Sequence, residues 1–155
     1  MTSLQDNQID KTKGLKWYRV FLVISFIRIF GTLAFGISNV TESASSIQMD
    51  TGLFIKMFPY FSFSSFILGI VGCILSVLLF DNLRKYNKKC ILIIKYIIIF
   101  TLLSFLIAVG AWYIDFAHML DTEVNNSYYQ SCFSAAIANL ILLVPTYYYL
   151  RKRFI

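Results

Sequence analysis

Arg28 is the residue in this sequence whose type and position could do chemistry. It lies in an apolar run from Trp17 to Val40, at a depth of about 12 Å if Val20 starts the apolar part and each residue rises 1.5 Å. The hydrocarbon core of a membrane is about 30 Å thick, so this depth is close to its centre. A guanidinium there costs from about 2.5 to more than 10 kcal/mol, depending on the reference state. It is also a strong donor to oxygen atoms and anions.

Four other polar residues are predicted at a similar depth when the later apolar runs are counted from their ends: Ser65, Thr101, Ser104 and Asn139. Together with Arg28 they would form a mid-membrane polar layer, in which the guanidinium donates to their oxygen atoms or to a bound anion. The alternative is that Arg28 extends its side chain towards the cytoplasmic head groups or faces internal water. The sequence leaves both interpretations open.

A second candidate site is the segment DFAHMLDTE, which contains Asp115, His118, Asp121 and Glu123. A metal ion needs several ligands that converge on one point, and these ligands usually need supporting hydrogen bonds. One His and carboxylates in a predicted loop do not guarantee that convergence. We therefore interpret the segment as a solvated acidic loop and predict neither a metal ion nor another cofactor.

The sequence lacks the common enzymatic motifs. It contains no GxGxxG, P-loop, HExxH or GxSxG motif, and its single His lies in a predicted loop. We therefore predict no catalytic residues and no enzymatic activity. The predicted spans also contain no Asp or Glu. Proton-coupled carriers usually keep an acid or a His within the membrane, so this absence weakens a transporter interpretation without excluding it.

Long apolar runs must position these residues. The predicted helices are at about 17–40, 54–80, 90–114 and 131–150, with a polar tail at 1–16 and a membrane domain at 17–155. Runs of about 20 apolar residues are long enough to span a bilayer. The chain is 58% hydrophobic and only 14% charged, whereas a soluble domain is about 45–50% apolar and about 25% charged. The predicted fold is an all-α, integral membrane four-helix bundle.

The basic residues favour one orientation of this bundle. Most of the 14 Lys and Arg residues fall in the tail, in the hairpin DNLRKYNKK at 81–89 or at the C-terminus. The two other loops and their helix ends carry only Lys56. Short loops rich in Lys and Arg stay cytoplasmic, so we predict that both termini are cytoplasmic. Because these cations flank apolar runs, the formal charge of +6 indicates head-group contact and no nucleic acid.

Two further patterns predict local environments. Small residues recur at intervals of four in the second run, as Ser65, Gly69 and Cys73 and as Gly72 and Ser76, and this spacing lets helices approach closely in lipid. The first half of the last run is also small and polar, which suits contact with another helix. Aromatic residues at the run ends are predicted as interface anchors: Trp17, Tyr18, Trp112, Tyr113, Tyr147, Tyr148 and Tyr149.

Three stretches together carry a resemblance. They are GLKWYRVFLVISF at 14–26, the basic hairpin at 81–89 and YYYLRKRFI at 147–155. In this combination the chain resembles a group of uncharacterised small bacterial four-helix membrane proteins. Its end from Pro145 to Phe154 is also similar to the DUF2569 membrane proteins. The resemblance implies a bacterial protein of the plasma (inner) membrane, and it brings no activity and no site residues.

Two classes of function remain after these exclusions. The first is a non-enzymatic accessory or interaction protein that acts through helix or lipid contacts. The second is a small oligomeric transporter or channel-like unit that uses the polar layer around Arg28. The expected partners are the lipid bilayer and either another membrane protein or further copies of this chain.

Overall fold

The computed structural model describes residues 15–85, 87–116, 118–120 and 122–154, and the fold over these residues is all-helical. Five helices follow one another: α1 (Leu15–Ser46), α2 (Thr51–Met57), α3 (Pro59–Arg84), α4 (Lys89–Phe116) and α5 (Thr122–Phe154). The long helices α1, α3, α4 and α5 are each long and apolar enough to cross a membrane. This confirms the predicted number of candidate spans. Residues 1–14 of the predicted tail lie outside the described residues.

At the end opposite the basic hairpin, α1, α4 and α5 extend further than predicted, whereas the second span begins only at Pro59 and not at about residue 54. The predicted loop at 41–52 is partly helical, because α1 continues to Ser46, and α5 already begins at Thr122. The hydroxyls of Ser45 and Ser46 each donate to the main-chain oxygen of Glu42 at 2.8 Å. Polar side chains that bond back to the preceding turn are satisfied within the helix, so their polarity does not end it.

A short amphipathic turn, α2, leads into the second span. Gln48 follows α1 with a φ of 54°, which is the left-handed conformation that reverses a chain after a helix. Asp50 then caps α2, since its carboxylate accepts a hydrogen bond from the N–H of Gly52 at 2.8 Å. Phe58 separates α2 from α3, and Pro59 opens α3. The prediction that this proline lies in the first turn, where no N–H is needed, is confirmed.

Consecutive long helices pack as antiparallel neighbours, α1 against α3, α3 against α4 and α4 against α5. The register of α1 and α3 is set by two contacts. Near the start of α1, the Tyr18 hydroxyl donates to the main-chain oxygen of Leu83. Further along α1, Gly36 lies beside Ser65. The long helices therefore cross side by side with their sequence neighbours, as expected for short connections.

The closest approach of two helices is at Gly36 of α1 and Gly69 of α3. A Cβ atom on Gly36 would lie 2.8 Å from the main-chain oxygen of Ser65, and one on Gly69 would lie 3.2 Å from the Gly36 Cα. One turn further along α3, Gly72 lies against the side chain of Thr32. The small-residue face predicted on the second span is thus a helix contact in the structure, because missing side chains let the backbones meet.

Two apolar clusters hold the ends of the bundle. The basic-end cluster consists of Tyr18, Leu79, Leu83, Cys90, Ile94, Ile97, Leu143 and Leu150. The aromatic cluster, at the opposite end, consists of Val40, Ala44, Phe54, Phe58, Phe61, Trp112 and Phe116. The basic-end cluster takes residues from all the long helices, whereas the aromatic cluster joins α1, α2, α3 and α4. The polar layer predicted around Arg28 would lie between the two clusters.

Candidate functional site

Arg28 lies on the side of α1 that turns towards α3. Its side chain is half-buried, and its main-chain oxygen accepts a hydrogen bond from the Thr32 hydroxyl at 3.0 Å. Over the residues that the structure describes, the guanidinium itself has no hydrogen-bond or ion-pair partner. An unpaired cation within a candidate span is unusual, because charges in such segments usually find partners or reach a head group.

Ser65 lies at a different level from Arg28. It packs against Gly36, which is eight residues beyond Arg28 and therefore about 12 Å away along the α1 axis. The prediction of a shared depth for Arg28 and Ser65 is corrected by this register. Counting from the ends of apolar runs failed here, because α1 continues to Ser46, α3 begins only at Pro59, and their glycine contact sets the alignment of the two helices.

The other three members of the predicted layer bond within their own helices. Thr101 donates to the main-chain oxygen of Ile97 at 2.9 Å, and Ser104 donates to that of Thr101 at the same distance. The Asn139 amide donates to the main-chain oxygen of Ala135 at 2.9 Å. Both hydroxyl donors and one N–H of the Asn139 amide are therefore bonded locally, while the side-chain oxygen atoms keep free lone pairs. No hydrogen bond among the described residues joins them to Arg28, so the layer stays a prediction.

Aromatic packing surrounds Trp112, which the sequence predicted to mark a membrane interface. The side chain is only 5% exposed and faces the neighbouring helices. Its ring stacks on Phe116 with centroids 4.3 Å apart and on Tyr128 with centroids 3.8 Å apart. It also meets Phe61 edge-on at 5.4 Å. Offset and edge-on pairs of this kind each add stability beyond the burial of area.

A polar bridge completes the surroundings of Trp112. Its indole N–H donates to the side-chain oxygen of Asn125 at 2.8 Å. The amide of Asn125 in turn donates to the main-chain oxygen of Leu120 at 3.1 Å. This bridge joins the end of α4, the connection after it and the first turn of α5. A buried indole needs such an acceptor, since an unpaired polar group in the interior is costly.

Asp115 was predicted to lie in a solvated acidic loop, and this is also corrected. It lies in the last turn of α4, where its carboxylate accepts a hydrogen bond from the main-chain N–H of Phe61 at 2.7 Å. The residue before α3, Phe58, provides no side-chain cap. Asp115 therefore caps the first turn of α3 from the neighbouring helix, and its negative charge suits that helix end.

The remaining residues of the acidic segment lie on the surface. His118 and Glu123 are both exposed, and Asp121 lies outside the described residues. The described chain contains no group of three or more His, Cys, Asp or Glu side chains that could hold a metal ion. Asp115 is instead engaged with the first turn of α3.

Tyr18, another predicted interface anchor, is buried at the basic end with 2% exposure. Its ring lies 5.5 Å from the guanidinium carbon of Arg153 and 6.4 Å from the ring of Phe154. Trp17, by contrast, is 62% exposed. Adjacent residues on a helix point about 100° apart, so Tyr18 faces the bundle while Trp17 faces outwards.

The sequence carries a signal for the aromatic cluster in the spacing of its aromatic residues. Phe54 and Phe58 are four residues apart, as are Trp112 and Phe116. Residues at that spacing lie on one face of a helix. The two pairs lie at the same predicted end of the bundle. This arrangement indicates a shared aromatic cluster there.

Comparisons of the chain with protein-family models, with curated proteins and with solved structures found no match. The resemblance to small bacterial four-helix membrane proteins therefore stays a prediction.

Proposed function

We propose that the protein is a multi-pass protein of the plasma (inner) membrane that acts without enzymatic chemistry. In this proposal it works through contacts of its helices with lipid and with other membrane proteins. The observation that supports it best is the apolar outer surface of the four long helices. Exposed large apolar side chains occur on every one of them, for example Phe30 at 61%, Ile67 at 57%, Leu106 at 63% and Ile141 at 68%.

Such a surface is unfavourable in water. Monomeric soluble proteins rarely expose contiguous apolar patches of more than a few hundred Å². Hydrocarbon chains, by contrast, solvate apolar side chains from all sides, so helices with apolar outer faces are stable within a bilayer. Polar side chains inside the bundle also suit an apolar surrounding, because they are hydrogen-bonded within their own helices. The hydroxyls of Ser76 and Thr146 each donate to a main-chain oxygen of the preceding turn at 2.7 Å.

One face of α5 favours a contact with a further helix. Residues with small side chains lie exposed on its first half: Ser131, Ser134, Ala135 and Ala138. In lipid, small residues allow close backbone packing, and serine hydroxyls can hydrogen-bond across such a contact. This face supports an interaction partner, either another membrane protein or a second copy of this chain.

The proposed topology places both termini and the α3–α4 hairpin in the cytoplasm. We expect thiol labelling of intact cells, on a background without the native cysteines, to modify Ser45→Cys and Asn126→Cys. Both positions are exposed, at the end of the bundle opposite the basic hairpin. Asn87→Cys and a cysteine added after Ile155 should react only after the cells are opened. Short basic segments stay inside, which is the physical reason for this expectation.

Labelling of Asn87→Cys from outside would reverse the proposed orientation. Equal labelling of all four positions in intact cells would contradict membrane insertion altogether. Detergent-opened cells provide the control, since every variant must react there if its cysteine is accessible.

A transport or binding function is the second candidate, and Arg28 is the observation that favours it. Suppose that its guanidinium, which lacks a described partner, bonds to Asn139 of α5 or to an anion held between the two helices. The substitutions Arg28→Leu and Asn139→Leu are then expected to be non-additive by more than about 0.5 kcal/mol in unfolding free energy. Interhelical hydrogen bonds in membranes average only about 0.6 kcal/mol, so a small coupling is expected.

The matched control pairs Arg28→Leu with Ser134→Leu, since Ser134 lies on an exposed part of α5 and should be additive. Additivity of the Asn139 pair as well would mean that Arg28 extends to the head groups. Coupling together with an anion-dependent stabilisation that Arg28→Leu removes would favour transport or binding. Coupling that no anion changes would favour the accessory function.

A further inference from the structure

At the basic end, each of the four long helices has a buried residue with a basic residue directly beside it in the chain. Tyr18, Leu83, Cys90 and Leu150 belong to the basic-end cluster and are each at most 2% exposed. They lie on α1, α3, α4 and α5 respectively. Each has an exposed basic residue directly beside it in the chain. These four residues, called the cationic ring below, are Arg19, Arg84, Lys89 and Arg151.

Among the residues that the structure describes, the charge of this end is strongly one-sided. Lys88 and Lys152 are exposed there as well. Asp81 is the only acidic residue between the start of α3 and the end of the hairpin, and it already pairs with Lys85 at 2.8 Å. No acidic residue of the hairpin is therefore left to neutralise the exposed charges of the cationic ring.

Apolar and aromatic side chains lie directly beneath the ring. Tyr148, three residues inside Arg151 on α5, is 62% exposed, and Leu92, three residues inside Lys89 on α4, is 51% exposed. Trp17, also 62% exposed, flanks Arg19 on the side of the helix end. Tryptophan and tyrosine favour the boundary between head groups and acyl chains. On α4 and α5 an exposed apolar or aromatic side chain thus lies one turn inside each cation, as acyl chains lie inside the phosphate groups in a phospholipid layer.

We propose that the cationic ring binds the phosphate groups of anionic phospholipids and enriches these lipids around the basic end of the protein. This inference rests on the proposed membrane location and adds the class of lipid that the protein selects. Each Lys or Arg near a membrane surface attracts anionic lipid, and contributions from several cations add together. An acidic soluble protein would pair with the cations, but it would not contact the exposed aromatic and aliphatic side chains beneath them.

The test is a competition between two lipids with identical acyl chains. The full-length protein in a neutral detergent is mixed with equimolar phosphatidylglycerol and phosphatidylcholine, and the bound lipids are counted by native mass spectrometry. We expect phosphatidylglycerol to be favoured at least about fivefold at low salt. The preference should fall below about twofold in about 0.5 M salt, because salt screens exposed charges.

Variants connect this preference with the ring. The combined change of Arg19, Arg84, Lys89 and Arg151 to Gln should remove it, and Arg84→Gln alone should reduce it. Lys56→Gln removes one exposed cation at the opposite end and should leave it unchanged. All four ring residues are exposed, so the variants are expected to fold, and helical circular dichroism with an unchanged unfolding temperature checks this.

Three results would overturn the inference. They are equal binding of the two lipids, a preference that persists in the fourfold variant, and an equal loss in Lys56→Gln. Capture of polyglutamate at physiological salt without any lipid preference would assign the ring to an acidic protein partner instead. Failure of the lipid preference leaves the membrane proposal intact if the labelling pattern of Asn87→Cys and Asn126→Cys holds, so the two proposals fail separately.

Discussion

Trp112→Ala is expected to lower the free energy of unfolding by about 3–5 kcal/mol, the range found for loss of a buried Trp or Phe. The indole is 5% exposed and contacts Phe61, Phe116 and Tyr128. Its removal leaves a cavity among rings that belong to different helices. It also leaves the Asn125 side-chain oxygen without its donor. Equilibrium unfolding in mixed detergent micelles measures the change.

Two further substitutions separate the loss of the indole hydrogen bond from the loss of buried packing. Trp112→Phe keeps an aromatic ring but removes the N–H that donates to Asn125 at 2.8 Å, so we expect a loss of about 1–3 kcal/mol. Trp17→Ala is the matched control, because that side chain is 62% exposed and its loss leaves no internal cavity. If Trp112→Ala and Trp17→Ala destabilised the protein equally, the aromatic cluster would not be a stabilising core.

Gly36→Ala is expected to destabilise the bundle by about 1–3 kcal/mol, the usual cost of overpacking, and Gly36→Leu should cost more. The added Cβ would lie 2.8 Å from the main-chain oxygen of Ser65. A backbone atom in a helix cannot turn aside as a side chain can, so α1 and α3 must separate. Separation also weakens the contact of Gly72 with Thr32, one turn along α3. Unfolding free energy in mixed micelles is again the measurement.

Gly31→Ala is the matched control for this substitution. Gly31 lies on the same helix, and a Cβ atom there would meet nothing within 4 Å. Alanine has a higher helix propensity than glycine by up to about 1 kcal/mol, so this variant should be unchanged or slightly more stable. Equal stability of Gly36→Ala and Gly31→Ala would show that the two helices are not in contact at Gly36.

The roles of Tyr18, Trp112 and Asp115 show where the sequence was insufficient. Tyr18 and Trp112 were predicted to mark membrane interfaces and Asp115 to lie in a solvated loop. All three take part in contacts between helices: Tyr18 with Leu83, Trp112 with Asn125 and Asp115 with Phe61. In a soluble helix, an apolar stripe would have indicated the inward face. The candidate spans here are apolar all round, so their periodicity does not separate residues that face lipid from residues that face a neighbour.

The sequence by itself determined the number of long helices, the apolar class of each one and the concentration of basic residues at the hairpin and the C-terminus. These are local properties, because run length and composition decide whether a segment suits hydrocarbon. Tertiary structure alone decided the register. Contact at Gly36 and Gly69 aligns α1 with α3 and places Ser65 two turns from Arg28. The packing of buried residues also decides which helix ends meet. It therefore places Arg19, Arg84, Lys89 and Arg151, the neighbours of these buried residues, at the same end of the bundle.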